Sequence, residues 1–117
     1  MTESSAQPGD ADFAQAIERL WVRFLPEIKE RVAILEAAAA EVAGATLFPS
    51  RRETARAAAH KLAGVLGTFG LTRGTVLARE LEINFSREGG PDPGSGKRLA
   101  AIAAELRTMV ESRKTSL

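Results

Sequence analysis

Apolar side chains recur every three or four residues along most of the chain, the spacing of an amphipathic α-helix. A first stripe is formed by Phe13, Ile17, Leu20, Trp21 and Phe24. Pro26 suits the first turn of a second helix, whose stripe is Ile28, Val32, Leu35, Ala39 and Val42. Gly44 is a natural stop for that helix. The pattern therefore predicts two consecutive helices before residue 44.

The second half of the chain predicts three more helices. Ser50 and Glu53 have the spacing of a capping box, so a third helix starts there and runs to Thr68, with Gly70 as its C-terminal cap. The fourth begins at Thr72, and a glycine- and proline-rich loop over residues 89–96 separates it from the fifth. The expected stripes of these last two helices are Leu77, Leu81 and Phe85, then Leu99, Ile102, Leu106 and Met109 or Val110.

Several amphipathic helices joined by short links favour antiparallel packing. The predicted fold is all-α, an antiparallel four-helix bundle with an additional N-terminal helix. We assign the domain to residues 12–115 and expect residues 1–11 to be a disordered polar tail.

Composition narrows the possible functions. A chain of 117 residues has room for one core, and its net charge of +1 is unlike the basic surface of a nucleic-acid binder. The absence of cysteine excludes disulfides and thiolate chemistry. No signal peptide or run of about 18 apolar residues is visible, so we expect a cytoplasmic protein.

The third helix carries the only histidine, His60. At about 100° per residue, one side of this helix collects Ala55, Ala58, Leu62, Val65, Leu66 and Phe69, which predicts the buried face. His60 points the opposite way. Beside it on that outer face we place Glu53, Arg56, Ala57, Ala63, Gly64 and Gly67. Gly64 lies one turn after His60 and leaves room beside the imidazole.

A single histidine on a helix could bind a metal, act in a hydrolase or accept a phosphoryl group. A metal site is disfavoured because no second histidine or any cysteine is present to share ligation. A hydrolase triad would need a placed serine, and no G-x-S-x-G motif exists. Phosphoryl acceptance requires only a neutral imidazole, a partner that holds its tautomer, and open access.

Three segments resemble a known family: residues 59–64 (AHKLAG), residues 67–71 (GTFGL) and the pair Leu81-Glu82. They are similar to the histidine-containing phosphotransfer (HPt) domain of bacterial phosphorelays, and GTFG especially to the phosphotransfer domain of the chemotaxis kinase CheA. The resemblance implies a four-helix bundle with an accessory helix. It also implies that His60 carries the phosphoryl group, that Gly64 provides clearance, and that Glu82 accepts the Nδ1 proton.

One position departs from the family pattern. Many members carry lysine three residues after the histidine, where this chain has Ala63. Lys61 points about 100° away from His60 around the helix, whereas Arg56, one turn earlier, points more nearly in the same direction. We therefore expect Arg56 as the substitute cation, with Lys61 the other candidate.

The resemblance implies a phosphocarrier without an independent catalytic cycle and without a bound metal or other cofactor. A receiver domain or histidine kinase would be the partner, and the receiver would bring Mg²⁺. Three alternatives remain open: a bundle that binds a receiver or kinase without transferring phosphate, a helix-turn-helix DNA binder, and a helical enzyme with His60 as general base.

Overall fold

The computed structural model describes residues 8–114, and within that range it contains four α-helices and no strand. They are α1 (Pro8–Ala43), α2 (Pro49–Thr68), α3 (Thr72–Ser86) and α4 (Gly96–Ser112), the last preceded by a 3-10 turn at Pro93–Ser95. Each helix packs against the next, and α4 closes the bundle against α1. No helix in this range is long and apolar enough to cross a membrane.

The predicted additional N-terminal helix does not exist as a separate element. The first two predicted helices form one 36-residue helix, α1, with Pro26 in its interior. Proline removes one backbone donor and crowds the carbonyl four residues earlier. Packing overrides that local preference, because Leu25 and Ile28 on either side of Pro26 lie against the core. Residues 8–11, assigned above to the tail, belong to α1, and residues 1–7 lie outside the described range.

The helix ends follow the sequence signals in part. At the end of α2, Gly70 has a φ of 75°, and the amides of Gly70 and Leu71 donate to the carbonyls of Gly67 and Leu66. This is the glycine cap predicted there. The capping box is wrong: α2 begins one residue earlier, at Pro49, and no side chain caps its first turn. Pro49 at the first position has no amide hydrogen, so this turn has one donor fewer to satisfy.

The core is made by the predicted apolar faces. On α1 the predicted second stripe is fully buried, as are Leu62 and Leu66 of α2 and the stripe of α3. On α4, Leu99, Ile102, Leu106 and Val110 are buried, with Met109 packed at the edge. The first stripe behaves differently, since Trp21 is buried whereas Phe13 is largely exposed. The bundle therefore begins near Trp21.

Trp21 closes one end of the bundle. Its ring meets Phe69 edge-on at a centroid distance of 5.1 Å, and the Arg113 guanidinium lies 4.5 Å from the Trp21 ring centroid. Arg113 also donates to the carboxylate of Glu18 at 3.0 Å. Aromatic and cation–π contacts of this kind each contribute on the order of 1 kcal/mol. They join α1 to the C-terminal ends of α2 and α4.

Pro26→Ala should stabilise the protein by about 1–3 kcal/mol, because alanine restores the donor that the carbonyl of Val22 lacks and has the higher helix propensity. Urea unfolding followed by circular dichroism measures the change. The matched control is Pro49→Ala, at the first position of α2, where proline is tolerated and no comparable gain is expected. Equal effects at both prolines would contradict a continuous α1.

Candidate functional site

His60 lies near the middle of α2 with 63% of its side chain exposed. Its neighbours Ala59 and Leu62 are fully buried, so the backbone beneath the imidazole is held in place by the core. The predicted exposure of His60 is confirmed. A rigid, accessible imidazole is available to a second molecule.

Glu82 of α3 holds one nitrogen of that imidazole. Its Oε2 lies 2.8 Å from Nδ1 of His60, and its side chain is only 20% exposed. A carboxylate accepts hydrogen bonds, so the proton of a neutral ring is on Nδ1 in this arrangement. The lone pair of Nε2 is then free. The predicted proximity of Glu82 to Nδ1 is confirmed, although its role is a separate question.

The second carboxylate oxygen of Glu82 faces a cation that sequence reasoning missed. Arg79 lies one turn earlier on α3, and its Nη1 is 3.8 Å from Oε1 of Glu82. The carboxylate is thus hydrogen-bonded to His60 at one oxygen and lies near the positive charge of Arg79 at the other. The three-residue spacing between Arg79 and Glu82 was the available signal, because residues three apart on a helix are neighbours.

Small residues let α3 approach α2 closely enough for this contact. The hydroxyl of Thr75 donates to the carbonyl of Ala63 at 3.0 Å. A Cβ added at Gly67 would lie 3.3 Å from the same hydroxyl oxygen. The placement of Ala63 on the outer face is therefore wrong: it is 1% exposed and lies against α3. The buried arc of α2 is wider than predicted, because this helix packs on both α1 and α3.

Gly64 is exposed, and a Cβ built on it would meet nothing within 4 Å. It opens onto a groove between α1 and α2 that also contains His60. The groove is lined by Phe24, Glu27 and Arg31 from α1 and by His60, Lys61, Gly64, Val65 and Thr68 from α2. The clearance predicted beside the imidazole is present.

The two candidate cations are placed differently. Arg56 donates to both carboxylate oxygens of Glu53, at 2.6 and 2.9 Å, and this bond lowers the pKa of Glu53 below its usual value. Lys61 lines the groove together with His60 and Arg31. Neither Lys61 nor Arg31 has an ion pair within residues 8–114. The carboxylate of Glu27 lines the same groove, so the groove presents both signs of charge.

The described part of the chain has no group of three or more histidine, aspartate or glutamate side chains that could hold a metal ion. One carboxylate and one imidazole make a hydrogen-bonded pair. The arrangement can hold a neutral imidazole in one tautomer and offer Nε2 to an electrophile brought by another molecule.

A helical bundle that presents one oriented, exposed histidine has the arrangement that a phosphoryl-accepting signalling domain requires. Comparison with known families agrees: residues 19–115 match the model of the Hpt domain. The chain belongs to the Hpt domain family, which acts in histidine phosphotransfer in two-component signalling. It is also similar to Protein RcaC of Microchaete diplosiphon, with 36% identity over 66 residues. Those residues are 56% of this chain and 10% of RcaC, and no solved structure matches significantly.

Glu82→Ala should shift neutral His60 from the Nδ1–H tautomer toward Nε2–H, because the acceptor that holds the Nδ1 proton is lost. The imidazole ¹⁵N chemical shifts report the tautomer directly. Glu80→Ala is the matched control, since Glu80 lies on the same helix but pairs with Arg98. An unchanged tautomer in Glu82→Ala would remove this carboxylate from the site's chemistry.

Proposed function

We propose that His60 is a phosphocarrier that exchanges a phosphoryl group with the aspartate of a receiver domain. The observation that carries this proposal is the exposed imidazole whose Nδ1 is bonded to Glu82 at 2.8 Å. General-base catalysis within this chain would need a bound substrate and further polar groups at the site. A phosphocarrier needs only an oriented nucleophile and access, which is what the described residues offer.

In the proposed step, the lone pair of Nε2 attacks phosphorus as the bond between phosphorus and the aspartyl oxygen breaks. The aspartate leaves as a carboxylate, and the phosphoryl group is carried on Nε2. The Nδ1–H group of His60 keeps donating to the Glu82 carboxylate, whose negative charge compensates the positive charge that develops on the ring. The reverse reaction follows the same path. The receiver would supply the Mg²⁺ that balances the negative charge on the phosphoryl oxygens. This chain has no catalytic cycle of its own.

Arg56 and Lys61 are the cations that we assign to the phosphoryl group from this side. Lys61 lies in the groove with His60, whereas Arg56 would exchange its bond to Glu53 for a phosphoryl oxygen. Gly64 admits the receiver. Ala63 and Gly67, adjacent to α3, act only by letting that helix approach. We place the reaction in the cytoplasm, where ATP is the source of the phosphoryl group.

Incubation with phosphoramidate, or with a phosphorylated receiver, should add one acid-labile and alkali-stable phosphate to the wild-type chain. His60→Gln should abolish the label without loss of helical content. Intact-mass spectrometry and circular dichroism measure the two effects. Labelling that persists in His60→Gln would reject the carrier, and an unlabelled wild-type chain that still binds receivers would favour a pure interaction module.

Gly64→Leu should block transfer from a receiver and stabilise the free domain by about 0.8 kcal/mol, since leucine has the better helix propensity and this position is open. Thermal melts and a transfer assay measure both. Gly96→Ala is the opposite control, because its Cβ would lie 2.6 Å from Ala43 and overpacking costs about 1–3 kcal/mol. A Gly64→Leu protein that melts earlier, or that transfers at the wild-type rate, contradicts this assignment.

A further inference from the structure

Glu82 lies at the start of the last turn of α3. The helix ends at Ser86, and in an α-helix the amide of residue i+4 donates to the carbonyl of residue i. Ser86 is therefore the last helical residue, and it is the one that bonds the backbone of Glu82. Its hydroxyl donates to the same carbonyl at 2.6 Å. Helix ends fray because their last carbonyls have no partner within the helix, so the position of the Glu82 carboxylate depends on how firmly this end is held.

The chain that follows α3 supplies little restraint of its own. Residues 87–92 contain no helix or strand, and Gly89 and Gly90 have φ values of 79° and 85°. Glycine loses more conformational freedom on folding than any other residue. An ordered end of α3 therefore requires a contact from another part of the bundle.

Arg52 of α2 makes that contact. Its Nη1 donates to the carbonyl of Arg87, the first residue after α3, and this carbonyl also accepts from the amide of Gly90 at 2.8 Å. The arginine stem runs against the loop, since a Cβ added at Gly90 would lie 3.2 Å from Cδ of Arg52. Arg52 has no ion-paired carboxylate among the described residues. A cation is favoured at this place because the carbonyl end of a helix is the negative end of its dipole.

Two hydrogen bonds between α2 and α3 flank the pair formed by His60 and Glu82. One is the bond from Thr75 to the carbonyl of Ala63, at 3.0 Å, on the C-terminal side of His60 along α2. The other is the bond from Arg52, on the N-terminal side, about 12 Å from His60 along the helix at about 1.5 Å per residue. Both ends of the contact are thus fixed, and the carboxylate between them lies 2.8 Å from Nδ1. Arg52 is too far along α2 to touch the imidazole, so it acts on the ring only through α3.

We propose that Arg52 is a positioning residue for the phosphotransfer site, which holds Glu82 against Nδ1 of His60 by binding the C-terminal end of α3. Without this bond the last turn of α3 opens and the carboxylate leaves the ring in part of the population. The proton of the neutral imidazole then moves to Nε2, the nitrogen whose lone pair must stay free. The consequence for phosphoryl transfer rests on the proposed function, whereas the effect on the ring does not.

The test compares two neighbouring arginines. Arg52→Met keeps the aliphatic stem and removes the donor, and Arg51→Met is the matched control, because Arg51 pairs with Glu41 of α1 at 3.3 Å. The imidazole ¹⁵N shifts of neutral His60 should show the ratio of Nδ1–H to Nε2–H lowered by about 2–10-fold in Arg52→Met, within the strength of a hydrogen bond to a charged group. The ratio should be unchanged in Arg51→Met. Arg52→Lys, which retains a cationic donor, should restore most of it, and exchange of the Ser86 amide should accelerate in Arg52→Met alone.

A double variant separates positioning from general stability. Because Arg52 acts through Glu82, adding Arg52→Met to Glu82→Ala should leave the tautomer ratio of Glu82→Ala unchanged. Thermal melts verify folding, and if Arg52→Met does not fold, the shorter Arg52→Gln takes its place. A tautomer ratio that is unchanged in the folded Arg52 variant, or lowered equally by Arg51→Met, overturns the positioning role.

Transfer kinetics connect the ring to the proposed function. Arg52→Met should lower kcat for a phosphorylated receiver in parallel with the population of the Nδ1–H tautomer. The KM should stay within about twofold of wild type, because Arg52 does not line the groove that contains His60. A raised KM with an unchanged kcat would place Arg52 in receiver docking and overturn the proposal. Failure of phosphoramidate to label the wild-type chain would reject the phosphocarrier instead, and the tautomer ratios would still decide the role of Arg52.

Discussion

The close approach of α2 and α3 is the constraint on which the site depends. A carboxylate reaches an imidazole on another helix only if the two backbones come near, and here Ala63 and Gly67 lie against Thr75 where longer side chains would separate the helices. The hydrogen bond between Glu82 and His60 follows from that spacing. Each small residue contributes little burial by itself, but together they place a carboxylate beside the imidazole of His60.

A phosphoryl acceptor must satisfy two opposing requirements. The ring has to be exposed, yet an exposed side chain ordinarily samples several rotamers. In this chain the buried neighbours Ala59 and Leu62 hold the backbone, and the bond to Glu82 restrains the ring. Arg79 lies 3.8 Å from the other carboxylate oxygen of Glu82. Order at the solvent-exposed nitrogen is thus supplied from the opposite side of the ring, where no partner molecule needs to approach.

The long first helix both builds the core and extends past it. Its buried half supplies a complete face of the core, and the contacts of Trp21 with Phe69 and Arg113 mark where that core ends. Beyond them the same helix continues with Phe13 exposed. One element therefore carries both packing and a free surface, which is possible only because helix geometry persists through Pro26.

The sequence alone determined the all-helical class, most of the core and the histidine at the centre of the site, because helical periodicity and a single histidine are local signals. The tertiary structure decided the rest. Pro26 was read as a boundary from its own preferences, but packing on both sides of it keeps α1 continuous. Ala63 was placed on the outer face, but alanine fits both surface and core, and only the position of α3 shows that it is buried. The three-residue spacing signals that Arg79 and Glu82 are neighbours, but only the tertiary structure shows that their face of α3 meets His60.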